Sequence, residues 1–256
     1  MMQKGYETEV TKLSLNNPSF FSATFGIILR RRPDTPPDSL VLKILQSKQF
    51  RSAATEWGIQ QESFAIQEYI RHQQGHGHPE LTVAPCGFHI SKSHPYLGAT
   101  HDGAVCDPSN LDRPFGFLEV KRPHVHLNNT REEASSTSGF CCSPESSSDG
   151  TQLLILRRNH IYYAQVQGQM AVGGRPWCGF VVYTTKGISV QHIQFDKDYW
   201  ERTLLQKLIE FYDKILGPEI VGPVHVKDRR HIIIMLNNYG NTKCVIQSPA
   251  TEETFP

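Results

Sequence analysis

Apolar residues recur at three- to four-residue spacing in some stretches of the chain and alternate with polar ones in others. That contrast divides it into predicted helices and strands. Helical spacing marks residues 20–29 and 39–47, on either side of the polar turn 30–37. It returns over 52–70, where Ser52 is a plausible N-cap and Ile59, Ile66, Tyr69 and Ile70 share a stripe. Residues 161–172 form a further helix, stopped by Gly173-Gly174. Residues 198–216 follow, with Leu204, Leu208, Phe211 and Ile215 on one face. Strand character predicts a strand over 81–90, then a hairpin of 104–106 with 115–121, then a second pair, 178–184 with 188–195. Residues 127–150, rich in Ser, Glu and Thr, read as a loop or insertion. Residues 1–19 read as irregular. Past Pro218 the only apolar run is 232–236, so 217–256 read as a loosely attached tail.

The strand 115–121 carries the first chemistry. Side chains alternate faces along a strand. Phe117, Glu119 and Lys121 therefore share one face, and Leu118 and Val120 share the other. If the apolar pair faces a core, a carboxylate and an ammonium project together from a rigid edge. Asp102, in a turn with Gly103, sits close in sequence. The group could hold a divalent metal and polarise a phosphate. An acid-x-Lys triplet is common by chance, and the same strand also suits an exposed face with one paired Glu and Lys.

Two polar residues fall at odd places on the predicted helices. Glu62 lies three after Ile59 and four before Ile66, within the apolar stripe. A carboxylate there is paired, hydrogen-bonded or metal-bound, unless it sits on the stripe edge and reaches solvent. Gln165 lies on the row of Ile161, Gly168 and Val172. The small Gly168 allows another element to approach. Gln165 then offers its amide to a water or phosphate, or is a core amide satisfied by backbone.

Composition narrows the class without naming it. A chain of 256 residues suits one domain with an ample core. A net charge of +1 excludes a protein that binds DNA over its whole surface, though not one with a basic groove. The basic clusters 30–32, 157–158 and 227–230 read chiefly as solvated faces. The six cysteines include no CxxC pair, so spacing points to neither structural zinc nor a secreted disulfide framework. The histidines at 72, 76 and 78 and at 124 and 126 are not read as zinc ligands. No apolar leader or membrane-length run is present, and an intracellular location is expected, nucleus or cytoplasm undecided.

Taken in order, Trp57-Gly58…Glu62, Leu97-Gly98-Ala99-Thr100-His101-Asp102-Gly103, Leu118-Glu119-Val120-Lys121-Arg122-Pro123 and Tyr162-Tyr163-Ala164-Gln165-Val166-Gln167-Gly168-Gln169 resemble the YqaJ viral recombinase family. These are phage-lambda-type alkaline exonucleases of the PD-(D/E)xK nuclease superfamily. The resemblance implies a single α/β domain, a restriction-endonuclease-like mixed β-sheet flanked by helices, over residues 20–216. It implies Glu62, Asp102 and Glu119 on a metal, Lys121 beside the attacking water, and Gln165 completing the site. Mg²⁺ or Mn²⁺ suits such oxygen ligands, and the carbonyl of Val120 between the two key side chains is a natural further ligand. The implied activity is 5′-to-3′ degradation of linear duplex DNA. A ring-shaped homotrimer that supplies ends to a strand-annealing protein is the implied assembly.

The chain departs from the family pattern twice. Relatives carry an Arg before an Ile-Thr-Ala-Ser segment that holds the terminal phosphate. Here Ser22 and Thr24 supply hydroxyls but Asn17-Pro18-Ser19 supplies no base, which weakens the case for end selection. Arg122 stands where relatives often have Cys, as an added phosphate contact or a solvated side chain. Two rivals remain. One is a DNA-binding or interaction module that kept the fold without cleavage, and the other is an endonuclease with the same metal chemistry.

Overall fold

A computed structural model describes residues 20–45, 53–146 and 152–221. Readings on 1–19, on the Ser52 cap and on the stretch beyond 221 lie outside the described residues.

Helices α1 (Phe20–Leu29), α2 (Asp38–Leu45) and α3 (Ala53–Gly75) precede the first strands, β1 (Thr82–Ala84), β2 (His89–Ile90), β3 (Gly98–Ala99), β4 (Gly103–Cys106) and β5 (Phe115–Lys121). Helix α4 (Arg131–Ser135), strands β6 (Cys142–Ser146) and β7 (Gln152–Leu156) and helix α5 (Ile161–Gly173) follow. Strands β8 (Trp177–Thr184) and β9 (Gly187–Gln194) lead into a helical run over 197–221, here α6. The main sheet has the order β1-β4-β5-β8-β9. Its β5·β8 pair is parallel and its other pairs are antiparallel. This is the mixed, helix-flanked sheet expected from the sequence.

Strand β5 is central, not an edge. Its two faces feed different cores. Leu118 and Val120 pack with Val105, Trp177 and Val181 against Ala65 and Tyr69 of α3. Phe117 packs with Cys178, Phe180 and Val182 against Tyr163, Val166 and Met170 of α5. Behind α5 lies a third cluster, in which Phe25 and Ile28 of α1 meet Ala164 and Leu204, Leu208 and Phe211 of α6. Helix α5 is therefore covered on both sides, which is why its row from Tyr163 to Met170 is buried throughout. Gly168 permits this: a Cβ there would come within 2.2 Å of the Phe25 ring. Gly174, at φ +67, caps α5 in the left-handed region that favours glycine.

Three readings need correction. The single strand over 81–90 is two strands in two sheets, β1 in the main sheet and β2 paired with β3. Pro85, which has no N–H to donate, and Gly87 lie between them. The segment 127–150, read as a loop or insertion, holds α4 and β6, and β6 pairs antiparallel with β7 just beyond it. Thr130 and Glu133 close a capping box that starts α4, a signal hidden by the polar composition. The last helix does not end at 216. It runs on through Gly217–Val221, with Pro218 inside the run.

Candidate active site

Glu119 and Lys121 lie on the face of β5 that α5 covers, so both are drawn into the interior. Glu119 is 4% exposed. Its Oε1 accepts from Lys121 Nζ at 2.5 Å and from Gln165 Nε2 at 2.7 Å. Its Oε2 accepts from Gln169 Nε2 at 2.8 Å. Lys121 Nζ also donates to Gln165 Oε1 at 3.1 Å and stands 4.4 Å over the Tyr162 ring. The family resemblance implied Gln165 at this site, and the structure brings its amide to Glu119 and Lys121. The resemblance assigned no role to Gln169, which is four residues on and so one helical turn along the same face. Gln169 Nε2 donates in addition to the Thr100 carbonyl at 2.6 Å.

Asp102 precedes β4 at a bend and is tied to β5 twice. Its N–H donates to the Leu118 carbonyl at 3.0 Å, and its Oδ2 accepts from the Val120 N–H at 2.7 Å. Val120 thus contributes a main-chain group beside Asp102 while its side chain fills the opposite core. Burial, reinforced by the neighbouring Glu119 carboxylate, raises the Asp102 pKa to about 7, against the lowering effect of the Val120 hydrogen bond. Burial alone would depress Lys121, but Glu119 and then Asp102 outweigh it and hold the ammonium above its ordinary value.

Glu62 joins from α3 and is only partly buried. It pairs with Arg122 Nη2 at 3.1 Å, so the odd carboxylate of the stripe has a basic partner that sequence spacing did not indicate. Arg122 is itself 14% exposed by its side chain, not solvated, and its Nη1 is buried without a hydrogen-bond partner. Ser22 and Thr24 are apart from the surface: α1 buries them to 1% and 3% exposure, leaving little hydroxyl area for a DNA backbone.

By chemistry, though with Glu119 and Glu62 already paired to other side chains, this donor set suits a hard divalent cation. The carboxylates of Asp102, Glu119 and Glu62 are oxygen donors of the kind Mg²⁺ and Mn²⁺ prefer. Asp102 holds its proton abnormally tightly, first because it is withdrawn from water and then because the Glu119 carboxylate lies beside it. Gln169 Oε1 is buried without a partner, a further oxygen in need of a donor or cation.

The family model for the YqaJ-like viral recombinase domain matches residues 22–176, well over half of the chain. Two crystal structures share the fold. One is LHK-Exo in complex with dAMP, with a TM-score of 0.58 at 17% identity, covering 87% of this chain and 97% of that one. The other is the alkaline exonuclease LHK-Exo from Laribacter hongkongensis, with a TM-score of 0.56 at 18% identity and the same coverage. No curated protein sequence matches significantly. Among the described residues no helix is long and apolar enough to cross a membrane.

Proposed function

Because the chain belongs to the YqaJ-like viral recombinase domain family, we propose that it is a Mg²⁺- or Mn²⁺-dependent deoxyribonuclease. It degrades one strand of linear duplex DNA from the 5′ end, in recombination or repair, through residues 20–216. The observation that carries this reading is the pairing of half-buried Asp102 with buried Glu119, with Lys121 against the second of them. The dAMP held by the LHK-Exo crystal structure supports a deoxynucleotide substrate class. The homotrimeric ring and the strand-annealing partner rest on the family resemblance alone.

Asp102, Glu119, the Val120 carbonyl and Glu62 would hold the cation. In a strand the N–H and C=O of one residue leave on the same side. The Val120 carbonyl therefore points towards Asp102, as its N–H does. A bound divalent cation supplies a more acidic water and charge neutralisation at the phosphate. Lys121 Nζ orients the attacking water and donates to the phosphate oxygen on which charge grows. Gln165 holds both Lys121 and Glu119 in place, and Gln169 fixes the second oxygen of Glu119. Glu62 would hold the cation only if it left Arg122, and the guanidinium would then be available to a phosphate oxygen.

One observation favours a non-cleaving DNA-binding module. Both Glu119 oxygens are already engaged by side chains, and Glu62 is engaged by Arg122. Digestion of 5′-phosphorylated linear duplex beside closed circular DNA, with and without Mg²⁺, separates the readings. The proposal expects Mg²⁺-dependent release of nucleotides from the linear substrate only. Cutting of the circle would make the protein an endonuclease, and binding without cleavage would make it a module.

A further inference from the structure

Beside the carboxylate centre, but outside it, Cys86, His89 and His101 bring one sulfur and two imidazoles within 4.8 Å of one another. Cys86 lies in the break between β1 and β2, His89 lies in β2, and His101 follows β3. The β2–β3 pairing sets His89 opposite Ala99, two residues before His101, so the fold itself assembles the group. Cys86 Sγ is 3.3 Å from His89 Nε2 and 3.8 Å from His101 Nδ1. Tetrahedral zinc, with bonds of about 2.3 Å to sulfur and 2.0–2.1 Å to nitrogen, places its sulfur and nitrogen ligands roughly 3.5 Å apart. The two measured edges bracket that separation.

The orientation of His101 is the second observation. Its Nε2 lies 3.2 Å from the main-chain carbonyl of Gln169, a pure acceptor, so Nε2 carries the proton and Nδ1 turns a lone pair towards Cys86. Metal-binding histidines characteristically donate their distal N–H to a carbonyl or carboxylate in this way. The ring is further fixed by stacking on Phe117, with centroids 3.5 Å apart. Burial pushes the Cys86 thiol up, and the nearby Arg175 offsets this only in part.

We propose that Cys86, His89 and His101 form a binding site for a borderline-soft transition-metal ion, Zn²⁺ by ligand chemistry, with water in a fourth position. The site is distinct from the hard-oxygen centre and does not depend on nuclease activity. It also has a route to that centre. His101 is the residue before Asp102, and the same Gln169 whose carbonyl receives His101 Nε2 holds Glu119 through its side chain. The ion would lock the β2–β3 hairpin to α5 and so position Asp102 and Gln169.

Cobalt substitution of the full-length protein tests this. After chelator treatment, Co²⁺ should bind at one equivalent per chain, with a thiolate-to-cobalt charge-transfer band and the intense visible bands of tetrahedral coordination. Zn²⁺ should displace it, and a large excess of Mg²⁺ should not. Cys86→Ser should abolish the charge-transfer band, and His89→Gln should weaken Co²⁺ binding at least about tenfold. Circular dichroism confirms that each variant is folded. Asp102→Asn should keep the band, which separates this site from the carboxylate centre. Where a variant fails to fold, the unaltered protein still decides: absence of a stoichiometric tetrahedral cobalt spectrum overturns the proposal. A band that survives Cys86→Ser, or is displaced by Mg²⁺, overturns it equally.

Discussion

The two faces of β5 differ in what burial costs and what it gains. Leu118 and Val120, at 0% and 4% exposure, need only shape-matched neighbours, and α3 and the adjoining strands supply them. Each gains roughly 1.5–3 kcal/mol from burial. Glu119 and Lys121, on the opposite face, need named partners, because a buried charge without hydrogen bonds is costly. Gln165, Gln169 and the Glu119–Lys121 contact meet that need, while Asp102 is left strained towards its neutral form. One face is built for stability and the other for charge. The arrangement on the second is the one the proposed hard-cation site would need.

Variants on the two faces should therefore fail differently. The largest effect is expected from Asp102→Asn, which should abolish cleavage by removing the charge that a hard cation needs. It should also leave the metal-free protein at least as heat-stable as the parent at pH 8, because repulsion from Glu119 is relieved. Activity assays beside thermal melts check both halves. Lys121→Ala should lower turnover by about a hundredfold, the scale of one preorganised transition-state charge, with little change in DNA affinity. A parallel loss of binding would make Lys121 a phosphate anchor instead.

Leu118→Ala, on the other face, should lower the unfolding free energy by about 2–5 kcal/mol in urea titrations. Turnover per folded molecule should stay near that of the parent. A loss of turnover without a loss of stability would dissolve the distinction between the faces.

The last effect is in pH. An unfolded Asp ionises near 3.9, whereas folded Asp102 holds its proton up to about 7. Between those values the folded state carries a proton that the unfolded state has lost. The stability of the metal-free protein should therefore fall as pH rises from about 4 to about 7. Mg²⁺ should restore more stability at pH 8 than at pH 5. Equal gains at both would mean that Asp102 does not face the cation.

Legibility in the sequence followed distance along the chain. Alternation fixed the two faces of β5 because it is local, and helical spacing located α5 and its glycine stop. The partners of Glu119 were harder, since Gln169 is 50 residues away and its side chain is an ordinary amide. The Glu62–Arg122 pair spans 60 residues and leaves no periodic trace. Burial of Glu119 was missed because the strand was placed at an edge, and an isolated motif does not reveal how many strands flank it. The Cys86 cluster escaped because a metal signal was sought in paired cysteines and in the His-rich loops. The three side chains proposed as ligands lie instead in and around a short hairpin whose strands are two residues each.

The central claim is that Asp102 and Glu119 are a paired site for a hard cation. Calorimetric titration of Mn²⁺ into the protein at pH 8, without DNA, tests it most directly. Zn²⁺ is supplied beforehand at one equivalent so that a site for softer ions is filled. The account predicts Mn²⁺ binding that is saturable in the parent, competed by Mg²⁺, and weakened at least about tenfold by Asp102→Asn, a loss of some 1.4 kcal/mol. Equal Mn²⁺ affinity in parent and variant, or no binding by a folded parent, would contradict it.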